Sequence, residues 1–364
     1  VKGFLVLETG EVYQGIWEGG SHAQNRVQNR AGEVVFNTSH SGYEEIATDP
    51  SYMSQIVMMT APMQGNYGIE KAVWESKKIW IEGFICLQMM KSSREQNWEN
   101  LLSQNGIPIL TEADTRQITL RLRSGGTPWG ALVTATDAAE AKKLAAPLIA
   151  EKKKSDKDWV WAASGKSKEV RTGQKPEGPR IGVLDFGCKE NILRELALRA
   201  RELVVFPSRT PVSELLSEKL DGLMLTNGPG DPGDVQVATG TVRELLGVKP
   251  IFGICMGHQI LGLALGAKTY KLNFGHRGSN HPIKDQLLEK VYMTSQNHGY
   301  AVEASTLPKH AKITHINLND NTVAGFFSEE KNCLGIQYHP ESCPGPHEAQ
   351  ALFDFFVDKM IGKK

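Results

Sequence analysis

The segment FGICMGHQ places Cys255 between Gly253 and Gly257, where the apolar run PIFGI gives way to a helical pattern that begins at Met256. The G-x-C-x-G spacing is that of a nucleophile elbow, usually written with serine, in which a strand turns abruptly into a helix and exposes the central side chain at the tip. The flanking glycines remove side chains that would collide in so tight a bend, and the central residue is held in a strained conformation. A free cysteine is also commonly a small buried packing residue, so the elbow alone leaves both readings open. A nucleophilic thiol needs more than an elbow. With an ordinary pKa of about 8.5 it is mostly protonated at neutral pH, so it requires a base, and the base requires a group that orients it. Of the ten histidines, His339 ends the apolar run Leu334 to Tyr338 and is followed by Pro340 and Glu341. Residues two apart in extended chain project to the same side, so Glu341 is expected to reach the imidazole and fix its tautomer.

Acyl chemistry also needs donors for a developing oxyanion. The amide of Met256, first after the thiol and at a helix N-terminus, is one such donor. A second is expected from NGPGDPGD, residues 227 to 234, whose glycines let backbone approach a ligand closely; the same residues also read as an ordinary turn cluster. No Lys-Ser or Lys-Thr follows to complete a phosphate-binding P-loop.

The elements that position these groups follow from the pattern after Pro179. RIGVLDFG reads as a buried strand, NILRELALRAREL as a helix with Ile192, Leu196, Arg199 and Leu203 in one row, and VVFP as the next strand. DGLML and PIFGI are further strands running into the two loops of interest. This alternation predicts an α/β fold with a doubly wound, mostly parallel sheet, whose ligands gather at the carboxyl ends of its strands. HEAQALFDFFVDKMIG, with Leu352, Phe355, Phe356 and Met360, is expected to be a helix packed back on that sheet. Residues 1–150 are of different texture, with short apolar runs at Phe4 to Leu7 and Glu33 to Phe36 and a helical signal from Asp114 to Arg123, and predict a smaller mixed α/β domain. Residues 151–179, rich in Lys, Ser and Gly, read as a connection over the surface, which leaves 180–364 as the second domain.

Composition narrows the class further. The 364 residues carry 41 basic and 41 acidic side chains, so no global field points to nucleic acid or an anionic membrane. Five cysteines without a C-x-x-C pair argue against a disulfide framework or a chelated metal and for a reducing, cytoplasmic setting. The stretch before Glu8 is too short for a signal-peptide core, and no apolar run approaches the roughly 18 residues that span a bilayer.

FGICMGHQ, NGPGDP and the HPE of His339 to Glu341 together resemble the class I glutamine amidotransferases, whose Cys-His-Glu triad hydrolyses the side-chain amide of glutamine. GEVVFNTSHSGYEEIATDPSY, GNYG, DTRQITLRLR, VLDFGCKENILREL, FGHRGSNHP, SQNHGYAV and PGPHE are similar, more specifically, to the glutamine-hydrolysing small subunits of carbamoyl phosphate synthetases, over nearly the whole chain. The resemblance implies Cys255 as nucleophile, His339 as acid and base, and Glu341 as its orienter. It implies an L-glutamine site of Ser51, Gly228, Gly230, Met256, Gln259, Asn297, Gly299 and Tyr300, with His298 either part of that neighbourhood or a structural hydrogen-bonding residue. It implies no cofactor in this chain, and a large-subunit partner that uses ATP, a divalent metal and bicarbonate to make carbamoyl phosphate for pyrimidine and arginine synthesis. A different amidotransferase, a non-catalytic regulatory subunit on the same fold and a redox-sensing cysteine protein are the alternatives. Two departures stand out: Ser342 and Cys343 occupy the middle of the usual HPEASPGPH, and Leu120 stands where an arginine is usual.

Overall fold

The computed structural model describes residues 1–18, 27–94, 96–155 and 157–362. The chain divides into two compact units, Val1–Lys157 and Asp158–Lys364. In the first, among the described residues, seven strands close into a barrel in the order Lys2–Leu7, Val12–Glu18, Ile109–Thr111, Gly83–Ile85, Gln55–Met59, Arg30–Asn37 and Trp129–Thr134, the last pairing antiparallel with the first. Arg30–Asn37 and Gln55–Met59 pair in parallel and are buried almost throughout, which is why they read as continuous apolar runs rather than as alternation. The predicted helix is found at Thr115–Gly125, started by the Asp114 carboxylate, which accepts the Gln117 amide at 2.8 Å. Leu120 lies on its outer face, 54% exposed.

The residues read as a surface connection carry structure of their own. Residues 151–155 finish the helix Ala138–Ser155, Trp159–Ala163 is a short helix, and Glu169–Thr172 is a strand paired antiparallel with Glu202–Pro207 at the sheet edge; Asp156 lies outside the described residues.

Among the described residues, the second unit is built on a ten-stranded sheet. Its core is parallel, in the order Glu202–Pro207, Arg180–Asp185, Gly222–Leu225, Ile251–Ile254 and Cys333–Ile336. Beyond it, Val323–Ser328, Lys312–Asn317, Thr269–Asp285 and Lys290–Val302 pair antiparallel. The change comes where strands begin to follow one another without intervening helices, since hairpin connections impose antiparallel pairing. Apolar side chains cover both faces in two clusters.

Two local expectations need correction. The helix after the first strand of this unit ends at Ala197, and Leu203, expected on its apolar row, belongs to Glu202–Pro207; the β-branched pair Val204 and Val205 draws that stretch into the sheet. The last segment is helical at Ala351–Asp354 and winds into a π-helical stretch, Phe355–Ile361. The wider turn rotates the buried face, so Phe353 and Phe356 pack on Phe252, with ring centroids 5.7 and 5.6 Å away, while Phe355 is only partly buried.

Candidate active site

Four segments meet at the carboxyl ends of the parallel strands: the loop after Arg180–Asp185, the NGPGDP loop after Gly222–Leu225, the turn after Ile251–Ile254, and HPE after Cys333–Ile336. Cys255 is the N-cap of the helix Met256–Ala264 and has φ 54° and ψ −104°. For a residue with a side chain this is strained, at a cost of about 1–3 kcal/mol. The surroundings enforce it. A Cβ on Gly253 would come within 2.6 Å of the Gly257 peptide, and one on Gly257 within 2.2 Å of the Leu225 carbonyl oxygen. The Gly257 amide donates to Thr226 O at 2.9 Å and the Cys255 amide to Ile336 O at 2.8 Å, which fixes the bend to the strands on both sides.

His339 and Glu341 meet, but not along an extended strand. The strand ends at Ile336, and residues 339–342 form a turn closed by the Ser342 amide on His339 O at 3.1 Å; Pro340, fixed in φ and without an N–H, favours a turn over continued pairing. Across this turn His339 Nδ1 lies 2.7 Å from Glu341 Oε1. Both residues are buried. The Cys255 thiol acts on the imidazole, helping to raise its pKa, while Nε2 completes no full hydrogen bond; catalytic pairs are commonly loose until substrate arrives.

A third charge completes the cluster. Lys189, 3% exposed, places Nζ 3.1 Å from Glu341 Oε1 and also donates to Ser342 O. Its backbone amide donates to Asn227 Oδ1 at 2.9 Å, and Asn191 donates to Glu341 O. Burial alone would raise the Glu341 pKa, but Lys189 and His339 outweigh it and hold the carboxyl at about 2. Burial alone would lower the His339 pKa; the Glu341 carboxylate reverses this and carries it upward, against an opposing push from Lys189. Sequence reading did not find Lys189. A lysine between a strand and a helix reads as a solvated charge, and no spacing ties it to a carboxylate so far along the chain.

The strand Lys290–Val302 serves the site chiefly through its backbone. Ser295 O accepts the His339 amide at 2.9 Å, Asn297 O lies 3.6 Å from Cys255 Sγ, and Tyr300 O accepts Gln259 Nε2 at 2.8 Å. Gln259 Nε2 also reaches Gln337 Oε1 at 3.1 Å. Met256 is buried at the first turn of the elbow helix, and Gly299 lies in the Lys290–Val302 strand. His298 has both ring nitrogens engaged by its own strand, with Tyr300 O at 2.7 Å and Gln296 Oε1 at 2.8 Å. Burial holds its pKa well below the usual histidine range. Gly228 is pressed on the Phe186 carbonyl, where a Cβ would be 2.3 Å from the oxygen, and Gly230 has φ +91°. Ser51 lies in the first unit, buried on the turn Pro50–Tyr52, its amide on Asp49 Oδ1 at 2.8 Å. Cys343 follows Glu341 by two residues at φ 54°, partly exposed and without the glycine-flanked bend. Among the described residues, no group of three or more His, Cys, Asp or Glu side chains is placed to hold a metal ion.

A strained thiol at a strand-to-helix turn, with a histidine and carboxylate from the end of the neighbouring parallel strand, defines the class of glutamine amidotransferase domains, and residues 182–359 match the family glutamine amidotransferase class-I. Residues 5–132 match the carbamoyl-phosphate synthase small chain, CPSase domain. The chain is 43% identical to the carbamoyl phosphate synthase small chain of Symbiobacterium thermophilum, over 96% of each. It is 41% identical to the chloroplastic small chain of Oryza sativa subsp. japonica, covering 98% of this chain and 81% of that one, and 41% identical to the small chain of Clostridium perfringens, covering 98% and 99%. The chain belongs to the carbamoyl phosphate synthase small chain family. It is a glutamine amidotransferase that supplies ammonia for carbamoyl phosphate synthesis.

Proposed function

We propose that Cys255, His339 and Glu341 carry out the hydrolysis. The Cys255 thiolate attacks the side-chain carbonyl carbon of L-glutamine, forming the C–S bond and moving the π electrons to oxygen. The amide of Met256 and an amide of the NGPGDP loop take up the oxyanion, an effect worth about 3–4 kcal/mol per donor in other enzymes. The tetrahedral species collapses, the C–N bond breaks, and the His339 imidazolium gives the departing ammonia its proton. His339, now neutral, takes a proton from water, whose oxygen attacks the glutamyl thioester; the C–S bond breaks and glutamate leaves. Splitting one difficult amide hydrolysis into two easier steps is the use of a thiol nucleophile. Gly228, Gly230, Gln259, Asn297, Gly299 and Tyr300 complete the substrate site in this reading. These steps use only side chains and amides of this chain, with ATP and its divalent metal assigned to the large subunit.

The observation that carries the reading is the Lys189–Glu341–His339 chain ending beside a thiol held at positive φ. An ordinary packing cysteine requires neither the strain nor a buried imidazole paired with a carboxylate. The partner follows from the small-chain family: we infer a large subunit that receives the ammonia and makes carbamoyl phosphate for pyrimidine and arginine synthesis in the cytoplasm. No helix among the described residues is long and apolar enough to cross a membrane. The test is carbamoyl phosphate formation by Cys255→Ser assembled with the large subunit, supplied with either glutamine or an ammonium salt. Synthesis is expected from ammonium and not from glutamine. Glutamine-driven activity within about tenfold of wild type, a barrier change of only about 1.4 kcal/mol, removes Cys255 as nucleophile.

A further inference from the structure

The segment from Asp158 to Lys166, which begins the second unit, is fastened over the carboxyl ends of the sheet. The Gly165 amide donates to Asp185 Oδ2 at 2.7 Å and the Ser208 amide to Ser164 Oγ at 2.9 Å. Asp158 pairs with Arg209, and two cations lie over the Trp161 ring, the Arg209 guanidinium 4.8 Å and Lys166 Nζ 4.0 Å from its centroid. Val160 is buried in the cluster that contains Phe186, Leu225 and Met256.

The remaining aromatic residue of this strap faces the NGPGDP loop. A Cβ placed on Gly230 would lie 3.4 Å from Trp159 Cε3, 3.6 Å from its Cβ and 3.8 Å from Cδ2. These are ordinary van der Waals separations, so the indole lies against the open side of the Gly230 Cα. On the other side of the loop Gly228 is pressed on the Phe186 peptide. Pro229 is fixed in φ, but the glycine on either side of it leaves the loop backbone free to shift, whereas an oxyanion donor must be held to within roughly 0.5 Å of its working position.

We propose that Trp159 is a positioning residue for glutamine hydrolysis: packed on Gly230, its indole holds the loop amide where the oxyanion forms. The proposal rests on the reading of the NGPGDP loop as the source of an oxyanion donor. It concerns the barrier of the covalent steps and not the capture of glutamine, because a donor used chiefly in the transition state lowers kcat and kcat/KM together when it is displaced.

The test compares wild type, Trp159→Ala and Trp159→Phe in the full-length chain. Three quantities are measured: glutaminase kcat and KM, the rate at which iodoacetamide alkylates Cys255, and the affinity for glutamate γ-semialdehyde. The aldehyde adds the thiol and develops charge on oxygen; alkylation displaces iodide and does not use the oxyanion site. Trp159→Ala is expected to lose about tenfold or more in kcat, with a parallel loss of aldehyde affinity and with KM and alkylation little changed. Trp159→Phe should recover most of the loss. Should Trp159→Ala not fold, Trp159→Phe decides alone, with a smaller loss of kcat that tracks aldehyde affinity. Unchanged kcat and aldehyde affinity, alkylation falling as far as kcat, or a rise in KM at constant kcat would each overturn the proposal. A wild-type chain that forms no glutamyl thioester would instead remove the Cys255 mechanism itself, an outcome separable from these ratios.

Discussion

Glu341→Gln keeps the shape of the turn and removes one charge from the middle of a buried row of three. In the wild type Glu341 Oε1 stands 2.7 Å from His339 Nδ1 and 3.1 Å from Lys189 Nζ. The carboxylate is what carries the imidazole pKa upward against burial and Lys189. With an amide in its place, burial and Lys189 act unopposed, and both disfavour the imidazolium. Opposite charges about 4 Å apart at an effective dielectric constant near 20 interact by about 4 kcal/mol, and each pH unit corresponds to about 1.4 kcal/mol. The imidazole pKa is therefore expected to fall by about two to three pH units. Since the imidazolium is the acid that protonates departing ammonia, the group whose raised pKa sustains activity as pH climbs is lost earlier. The alkaline limb of kcat/KM for glutamine should move to lower pH by that amount. Replacing the orienting carboxylate of a serine-protease triad by its amide lowers kcat by about 10⁴; a loss of that order or smaller is expected here, and less than that of His339→Asn measured alongside. The assay is the pH profile of glutaminase activity together with an NMR titration of the His339 ring. An alkaline limb that stays in place or moves upward, or a greater loss from Glu341→Gln than from His339→Asn, refutes the assignment of acid and orienter.

Lys189→Met removes one of the two cationic partners of the buried Glu341 carboxylate, leaving His339, and should cost about 3 kcal/mol of stability. Denaturant midpoints should show the Lys189→Met, Glu341→Gln double variant losing less than the sum of the single losses, because the two side chains share one interaction. Gly257→Ala forces a Cβ to within 2.2 Å of the Leu225 carbonyl oxygen, a backbone atom that cannot rotate away, and should destabilise by about 3 kcal/mol. Gly240→Ala, in the helix Gln236–Leu245 with nothing within 4 Å of the added Cβ, should instead stabilise by about 1 kcal/mol; the same denaturation series measures both glycines, and equal effects would mean that space at the elbow is not what requires Gly257.

What was legible in the sequence shares a local cause. The elbow is five residues long, and its glycines have a steric reason, so Gly253, Cys255 and Gly257 announce the bend, while the role of the thiol needs His339 and Glu341 beside it. His339 and Glu341 were readable from two-residue spacing, although Pro340 makes their contact across a turn rather than along a strand. The parallel half of the sheet was visible because each strand is followed by a helix of different period, whereas the first unit's barrel depends on Lys2–Leu7 meeting Trp129–Thr134, a pairing no local pattern records. Lys189 and Trp159 were missed for the same reason. Lys189 looks like a surface charge and Trp159 sits in a lysine-rich connection, and only the folded chain brings one to Glu341 and the other to Gly230. Asn297 and Tyr300 illustrate a further limit. Both present backbone carbonyls to Cys255 and Gln259, so their side-chain identities carry little of that part of the role.

The central claim is a covalent glutamyl intermediate on Cys255, and the direct measurement is acid quenching of the full-length chain during glutamine turnover, followed by peptide mass analysis. The peptide containing Cys255 should carry a glutamyl group that hydroxylamine removes, at an occupancy set by the ratio of thioester formation to hydrolysis, and Cys255→Ser should show neither adduct nor turnover. Steady glutamine hydrolysis with the glutamyl group on Cys188 or Cys343 instead, or undiminished hydrolysis by Cys255→Ser, would contradict the account.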